Sequence, residues 1–224
     1  MKRAITDKET LIQELIRGKY LRTPAIIEAF RRIDRKDFVL PEYAAEAYGN
    51  YPLPIGFGQT ISQPLTVAFM LELLQPQPGE RVLEIGAGSG WTAALIADIV
   101  SQNGKKPGKV IAIERLEELQ KMASRNIAKY DFVSGGAVEV YWGDGTKGYP
   151  DAAPFHKIIA AAAGEAVPPA WKEQLRTRGR IVAPVKNTIE VWEKAGTGDF
   201  RMKEYYGFSF VPLIGDEGGD GGSG

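Results

Sequence analysis

The sequence predicts an α/β fold, a doubly wound and mostly parallel sheet with an antiparallel C-terminal strand pair and N-terminal helices. Three observations predict it. From Glu80 onward, apolar runs of strand length alternate with stretches of helical periodicity, the pattern of right-handed βαβ units. Two segments near the end have strand composition with only a Gly-rich turn between them, which suits an antiparallel pair closing one side of the sheet. Ahead of Glu80, apolar residues recur at helical spacing instead.

Taken in order, Thr6-x-x-Glu9 fits a capping box, and Leu11, Ile12, Leu15 and Ile16 form the apolar face of a first helix ending near Gly18. Thr23 before Pro24 opens a second helix with Ile26, Ile27, Phe30 and Ile33 on one side. The charges of Arg31, Arg32, Arg35, Lys36 and Asp37 read as a solvated face. YPLPIGFGQTISQP, from Tyr51 to Pro64, lies in a region with no acidic or basic side chain between Glu46 and Glu72, although 25% of the chain is charged. Pro64 suits the first turn of a third helix carrying Val67, Met70, Leu71 and Leu74.

The alternating series then runs RVLEI (81–85, strand), WTAALIADIV (helix), KVIAIE (109–114, strand) and LEELQKMASRNI (helix). AVEVYW (137–142), KIIAAAA (157–163) and RIVAPV (180–185) continue the strands, and TIEVWEKA with MKEYYGFSFVPL forms the terminal pair. SQNGKKPG (101–108) is a polar Gly/Pro loop, and GDEGGDGGSG a flexible low-complexity tail.

A chain of 224 residues suits one domain that buries roughly 70% of its unfolded surface. The charges balance, 28 basic against 28 acidic, so no global field favours nucleic acid or an anionic membrane. Absence of cysteine excludes disulfides, thiol nucleophiles and thiolate metal sites, and a lone histidine, His156, excludes any site needing two imidazoles. No segment has signal-peptide or membrane-span character, so a cytoplasmic protein acting as a monomer is expected.

Chemistry concentrates at the strand ends. Glu84-Ile85-Gly86-Ala87-Gly88-Ser89-Gly90 follows the first strand of the alternating series and precedes a helix, where glycines allow a tight turn beside a helix dipole. The spacing is G-x-G-x-G rather than the dinucleotide G-x-G-x-x-G, since Trp91 stands where the third glycine would fall. There is no Walker lysine, and Ala87 rules out a nucleophile elbow around Ser89. Glu114 ends the next strand, where an acid accepts hydrogen bonds from ribose hydroxyls, and Arg115 follows it. Asp144, before Gly145, is placed to accept from an adenine amino group, or is simply a turn residue. At the other wall, Ser62 and Gln63 lie at the entrance of the third helix, whose free N–H groups and dipole attract an anion without a cationic side chain; Ser62 caps that helix or positions a ligand.

VLEIGAGSG, IER and GDG together resemble the class I S-adenosylmethionine-dependent methyltransferases, and PLPIGFGQTISQP with APF and FVPL narrows the resemblance to protein-L-isoaspartate(D-aspartate) O-methyltransferases over about Leu11 to Gly215. The resemblance implies a sheet of class I methyltransferase type in one domain, 1–215, with substrate-side residues 1–79, a cofactor-binding core 80–215 and a tail 216–224. It implies methyl transfer from S-adenosyl-L-methionine to the α-carboxylate of L-isoaspartyl residues in damaged proteins and peptides. By the same resemblance Ser62 is catalytic, and Glu84, Gly86, Gly88, Ser89, Gly90, Glu114, Arg115, Asp144 and Gly145 bind cofactor. Pro54, Ile55, Thr60, Ile61, Ser62, Val211, Pro212 and Leu213 would bind substrate. No metal, nucleic acid or membrane is implied.

Five positions depart from the family pattern: Leu65 replaces a usual His or Tyr, Thr66 a usual Met, His156 a usual aspartate, Asn50 a frequent aspartate, and Lys186 a usual glycine. Leu65 and His156 motivate an alternative acceptor, a small-molecule acid or an RNA base. A peptide-binding module without turnover is the non-enzymatic alternative.

Overall fold

The computed structural model describes residues 7–102, 107–196 and 198–215. Thr6, residues 103–106 of the polar loop, and the 216–224 tail lie outside the described residues. Helix α1 (Lys8–Arg17) is capped by Asp7, whose carboxylate accepts from the Thr10 N–H at 2.9 Å, and it stops at Gly18. Helix α2 (Pro24–Arg32) follows, and its N-terminus is satisfied from a distance. Glu72 accepts from the N–H groups of Arg22 and Thr23, both at 2.6 Å, and from the Thr23 hydroxyl at 2.9 Å. Glu72 belongs to helix α3 (Pro64–Leu74) and is only 6% exposed, so one carboxylate caps α2 and ties it to α3.

The reading of 31–37 as a solvated face holds for Arg32 and Lys36 but fails at Arg35. Arg32 forks onto Asp98 with bonds of 2.8 and 2.6 Å, and Arg35 is 2% exposed. Spacing alone marks Arg35 as a surface charge; only the fold of the segment from Ala47 to Ser62 around it shows that it points inward.

Between α2 and α3 the uncharged stretch folds back on itself as a small hairpin, β1 (Leu53–Gly56) and β2 (Gln59–Ile61), which periodicity does not reveal. The main sheet contains β3 (Arg81–Ile85), β4 (Lys109–Glu114), β5 (Val138–Trp142), β6 (Phe155–Ala160), β7 (Leu175–Val185), β8 (Thr188–Lys194) and β9 (Phe200–Tyr206). Its order is β5-β4-β3-β6-β7-β8-β9, parallel through β7 and antiparallel at β7–β8 and β8–β9. Helices α4 (Trp91–Val100), α5 (Glu117–Ala128) and α6 (Pro169–Gln174) complete the fold. Two apolar layers, one on each sheet face, bury the strands on both sides, which is why β3 and β4 read as unbroken apolar runs.

Three boundaries differ from the sequence expectation. β6 starts two residues early and ends at Ala160, freeing Ala161 and Ala162 as a loop at the sheet's carboxyl edge. β7 begins at Leu175, earlier than 180. The FSFVPL half of the last predicted strand leaves the sheet at Gly207, φ +94°, and only touches it again where Ala163 bridges Pro212.

His156 sits within β6 at the opposite end of the sheet from the G-x-G-x-G loop, accepting at Nδ1 from the Arg81 N–H at 3.0 Å. At the position where the resemblance puts an acid, this chain has an imidazole that accepts from the first amide of β3. Burial, then Arg176 and Arg81, pushes its pKa below the ordinary 6.5. As pH falls the unfolded chain takes this proton first, so the stabilisation is present above about 6.5 and lost as pH drops through the lower folded value. The fall in urea midpoint between about pH 7 and pH 5 is expected to flatten in His156→Asn. A second expectation concerns Glu72: Glu72→Ala strands the α2 amides and lowers stability by about 2–4 kcal/mol in urea titrations.

Candidate active site

The chain connects β3 to β4 on one side and β6 to β7 on the other, so the strand order reverses beside β3. A crevice opens there, outside the carboxyl ends of the strands, where open α/β sheets hold ligands. It is a cavity of about 560 Å³. Gly86, Gly88, Ile85, Ile113, Glu114, Arg115, Leu116 and Gly145 form its floor and one wall.

Gly86, Gly88 and Gly90 all adopt left-handed φ, +85°, +55° and +93°. At Gly90 a Cβ would also meet the Ile127 side chain at 2.9 Å, so α4 and α5 pack closely only with glycine there. The loop amides are not idle: Gly86 and Ala87 donate to the Ile113 carbonyl, and Gly88 donates to Glu114 Oε2 at 2.8 Å. What the loop offers a ligand is bare backbone. Glu114, 7% exposed, also accepts from the Leu116 N–H at 3.0 Å, and a carboxylate with two such bonds retains lone pairs for two hydroxyl donors. At Gly145 a Cβ would collide with Ile85 Cγ2 at 2.5 Å, so the chain closes over the end of β3 only without a side chain. These features fit a nucleoside with a vicinal diol.

The facing wall is the β1–β2 hairpin and the start of α3, contributing Pro52, Phe57, Gln59, Thr60, Ser62, Gln63 and Thr66. Arg35 holds it. Nη1 donates to the carbonyls of Ala47 (2.8 Å) and Gly49 (3.2 Å), and Nη2 to those of Tyr51 and Ser62, both at 3.1 Å. The guanidinium carbon lies 5.4 Å from the centre of the Trp91 ring, and burial lowers the Arg35 pKa to about 10. It stays charged at neutral pH. The third wall is the segment after β9. Ala163 donates to the Val211 carbonyl at 2.8 Å and Leu213 donates back at 2.7 Å, laying Ser209 to Ile214 along the cavity.

Of the residues expected from sequence, Ser62, Thr60, Gly86, Gly88, Glu114, Arg115, Gly145, Val211, Pro212 and Leu213 line this one cavity. Others do not. Ile55 and Ile61 are 1% and 4% exposed and point into the core as the hairpin's anchors, while Pro54 alternates outward between Leu53 and Ile55. Ser89 is buried, with its carbonyl bonded to Asn126, and Gly90 caps α4. Asp144 turns its Oδ1 to the Thr146 N–H and hydroxyl at 2.9 and 2.7 Å, a turn-stabilising role beneath the wall. Glu84 is 1% exposed with Oε2 unpartnered, and burial followed by the nearby Glu114 raises its pKa well above the ordinary carboxylate value. It is not among the residues that line the cavity.

Sequence reasoning gave Phe57, Gln59, Thr66, Ala161 and Ala162 no place in the site; Gln63, expected at the entrance of α3, does line the cavity, as does Phe210. The run of alanines after β6 was the available signal, because small residues at a strand end leave room for a ligand. The two departures that favoured another acceptor are both outside the cavity. Leu65 packs against the core and gives its N–H to Asn50 Oδ1 at 3.0 Å, and His156 is at the far edge. Asn50 thus serves as a remote cap for α3. Lys186 occupies the β7–β8 turn with φ +51°, where glycine carries no strain.

A reversed parallel sheet, a G-x-G-x-G turn, an acid after the second strand and a side-chain-free third strand end define a class I methyltransferase. The comparisons with known proteins narrow this. A family model described as protein-L-isoaspartate(D-aspartate) O-methyltransferase matches residues 6–218, and the chain belongs to that family. It is 43% identical over 215 residues to the protein-L-isoaspartate O-methyltransferase of Methanopyrus kandleri, covering 94% of this chain and 92% of that one. With the Aeropyrum pernix protein of the same name the identity is 43% over 212 residues, covering 93% and 79%. A solved protein-L-isoaspartate O-methyltransferase superposes with a TM-score of 0.82 at 26% identity, covering 95% of this chain and 67% of that one. The fold is also shared with a Plasmodium falciparum structure in complex with S-adenosyl-L-homocysteine, at a TM-score of 0.83, 19% identity and coverage of 93% and 98%.

Because Arg35 satisfies four carbonyls, Arg35→Lys is expected to lose about 2–4 kcal/mol in urea unfolding, since an ammonium has three donors and no planar fork. Methyl transfer should fall with it even at temperatures where the variant remains folded.

Proposed function

We infer that this chain is a protein-repair methyltransferase that transfers a methyl group from S-adenosyl-L-methionine to the α-carboxylate of L-isoaspartyl residues in damaged proteins and peptides. The observation that carries the reading is the single cavity in which Ser62 and the β1–β2 hairpin face Gly86, Gly88, Glu114 and Gly145. Glu114 would accept from the ribose hydroxyls, Gly86 and Gly88 would leave space for the amino-acid end, and Gly145 with Leu116 would flank the base. When bound, the cofactor supplies a sulfonium methyl group whose leaving group is a neutral thioether.

The chain's own part is binding, alignment and exclusion of water. A carboxylate of pKa about 4 is ionised at neutral pH and needs no general base. Consistent with that, Glu114 and Arg115 are the only charged side chains among the described cavity residues, and both are at the cofactor end. The Ser62 hydroxyl donates to the acceptor carboxylate and orients one oxygen toward the methyl carbon. Amides and hydroxyls hold such an anion more loosely than an arginine fork and leave its lone pair available. Ile113, Leu119, Phe210 and Leu213 line the cavity with apolar surface that keeps water from competing. The product ester cyclises to a succinimide through the neighbouring backbone amide, a step that asks nothing of the protein.

Residues 1–79 and 80–215 form one working unit in this reading, supported by a core that runs from Leu11 to Val191. The reading includes a monomer in the cytoplasm. No described helix is long and apolar enough to cross a membrane.

The test is incubation with labelled S-adenosyl-L-methionine and matched isoaspartyl and aspartyl peptides. Base-labile label on the isoaspartyl peptide alone is expected; equal or absent labelling of the two refutes the reading. Ser62→Ala should lower kcat/KM about 10- to 100-fold, the worth of one hydrogen bond to a charged group.

A further inference from the structure

The start of α3 was expected to present a set of free amides to an anion, but most of them are spent. Pro64, at the first position, has no N–H. Leu65 donates to Asn50, and Val67 donates to the Gln63 carbonyl at 3.1 Å. Gln63, at the cap position, makes no side-chain cap bond, because its Nε2 is turned to the Asn50 carbonyl at 2.9 Å.

Thr66 is what remains. Its N–H is the one amide of the first turn without an acceptor, and its hydroxyl has no hydrogen-bond partner either. A helical threonine hydroxyl commonly bonds the carbonyl four residues back. Here that carbonyl belongs to Ser62, and Arg35 already donates to it at 3.1 Å. Thr66 is 8% exposed, and the little surface it keeps lines the same cavity as Ser62. Two unpartnered donors on a residue only 8% exposed, at the positive end of an eleven-residue helix, are available to a ligand that enters the cavity.

We propose that Thr66 is a second positioning residue for the acceptor, its N–H and hydroxyl joining the Ser62 hydroxyl in holding the isoaspartyl α-carboxylate. This rests on the functional reading above and deepens it. Ser62 precedes the cap and Thr66 occupies the third helical position, so the two donors approach the anion from the loop side and the helix side. Arg35 couples them, since it fixes the Ser62 carbonyl and with it the geometry of the turn between the two residues. Recognition of the carboxylate then depends on the chain around Pro64 rather than on one hydroxyl.

The test compares Thr66→Val, which keeps shape and N–H but removes the hydroxyl, with Thr66→Ser, which keeps the hydroxyl. Thr66→Val is expected to raise the KM for an isoaspartyl peptide about tenfold with a smaller change in kcat. Its Kd for S-adenosyl-L-homocysteine and its thermal midpoint should be unchanged, because no hydrogen bond within the protein has been removed. Thr66→Ser should restore the KM. A wild-type KM in Thr66→Val overturns the proposal, as does a rise in the S-adenosyl-L-homocysteine Kd with the peptide KM intact, which would assign Thr66 to the cofactor. Failure of the wild-type protein itself to label the isoaspartyl peptide would sink the functional reading first, and this proposal with it.

Discussion

A buried guanidinium organises the acceptor side of this molecule. Arg35 gathers four carbonyls between Ala47 and Ser62, and no carboxylate among the described residues pairs with it. Carbonyl dipoles and the face of Trp91 stand in for a counter-ion. Trp91 is the first residue of α4, immediately after the glycine loop, and it also meets Phe30 of α2 edge-on at 5.5 Å. One side chain therefore fixes the hairpin that faces the acceptor relative to the turn that faces the cofactor. In an in-line displacement the distance between those two walls decides the rate, so the constraint is functional as well as structural.

Charge is handled differently in the scaffold and in the cavity. Buried carboxylates do the tying: Glu72 joins α2 to α3, Asp98 takes the Arg32 fork, and Glu114 clamps the glycine loop onto β4. The acceptor wall of the cavity carries none. Glu84, beside the floor, has its pKa raised by burial and by Glu114, which disfavours a charge there. An uncharged stretch in a highly charged chain suits the carboxylate-binding wall of hydroxyls and amides that the proposed function asks for.

Two of the departures from the family pattern serve the frame. Asn50 supplies a carbonyl oxygen to the Leu65 N–H where a carboxylate is frequent, and His156 supplies an imidazole nitrogen to the Arg81 N–H where an acid is usual. In both cases the side chain present bonds a backbone amide of the frame, outside the cavity. Leu65 trades a ring for core packing, and the cavity chemistry passes to Ser62, Gln63 and Thr66.

Much of this was legible in the residues. Strands buried on both faces read as apolar runs, so β3, β4 and α4 could be bounded from sequence. The glycines, Glu114, Gly145 and Ser62 stand at strand and helix ends, where local pattern and chemistry coincide. What the sequence could not decide was direction and distance. Ile55 and Ile61 share a motif with Ser62 but face the core, because a two-residue period in a hairpin sends neighbours to opposite sides. Arg35 looks like any arginine in a basic run, and Ser209 to Ile214 look like a strand. Their roles depend on partners far along the chain, Tyr51 and Ser62 for the one and Ala163 for the other. Local propensity determined the elements; long-range hydrogen bonds between buried backbone groups, which must be satisfied wherever the fold brings them, decided which residues meet in the cavity.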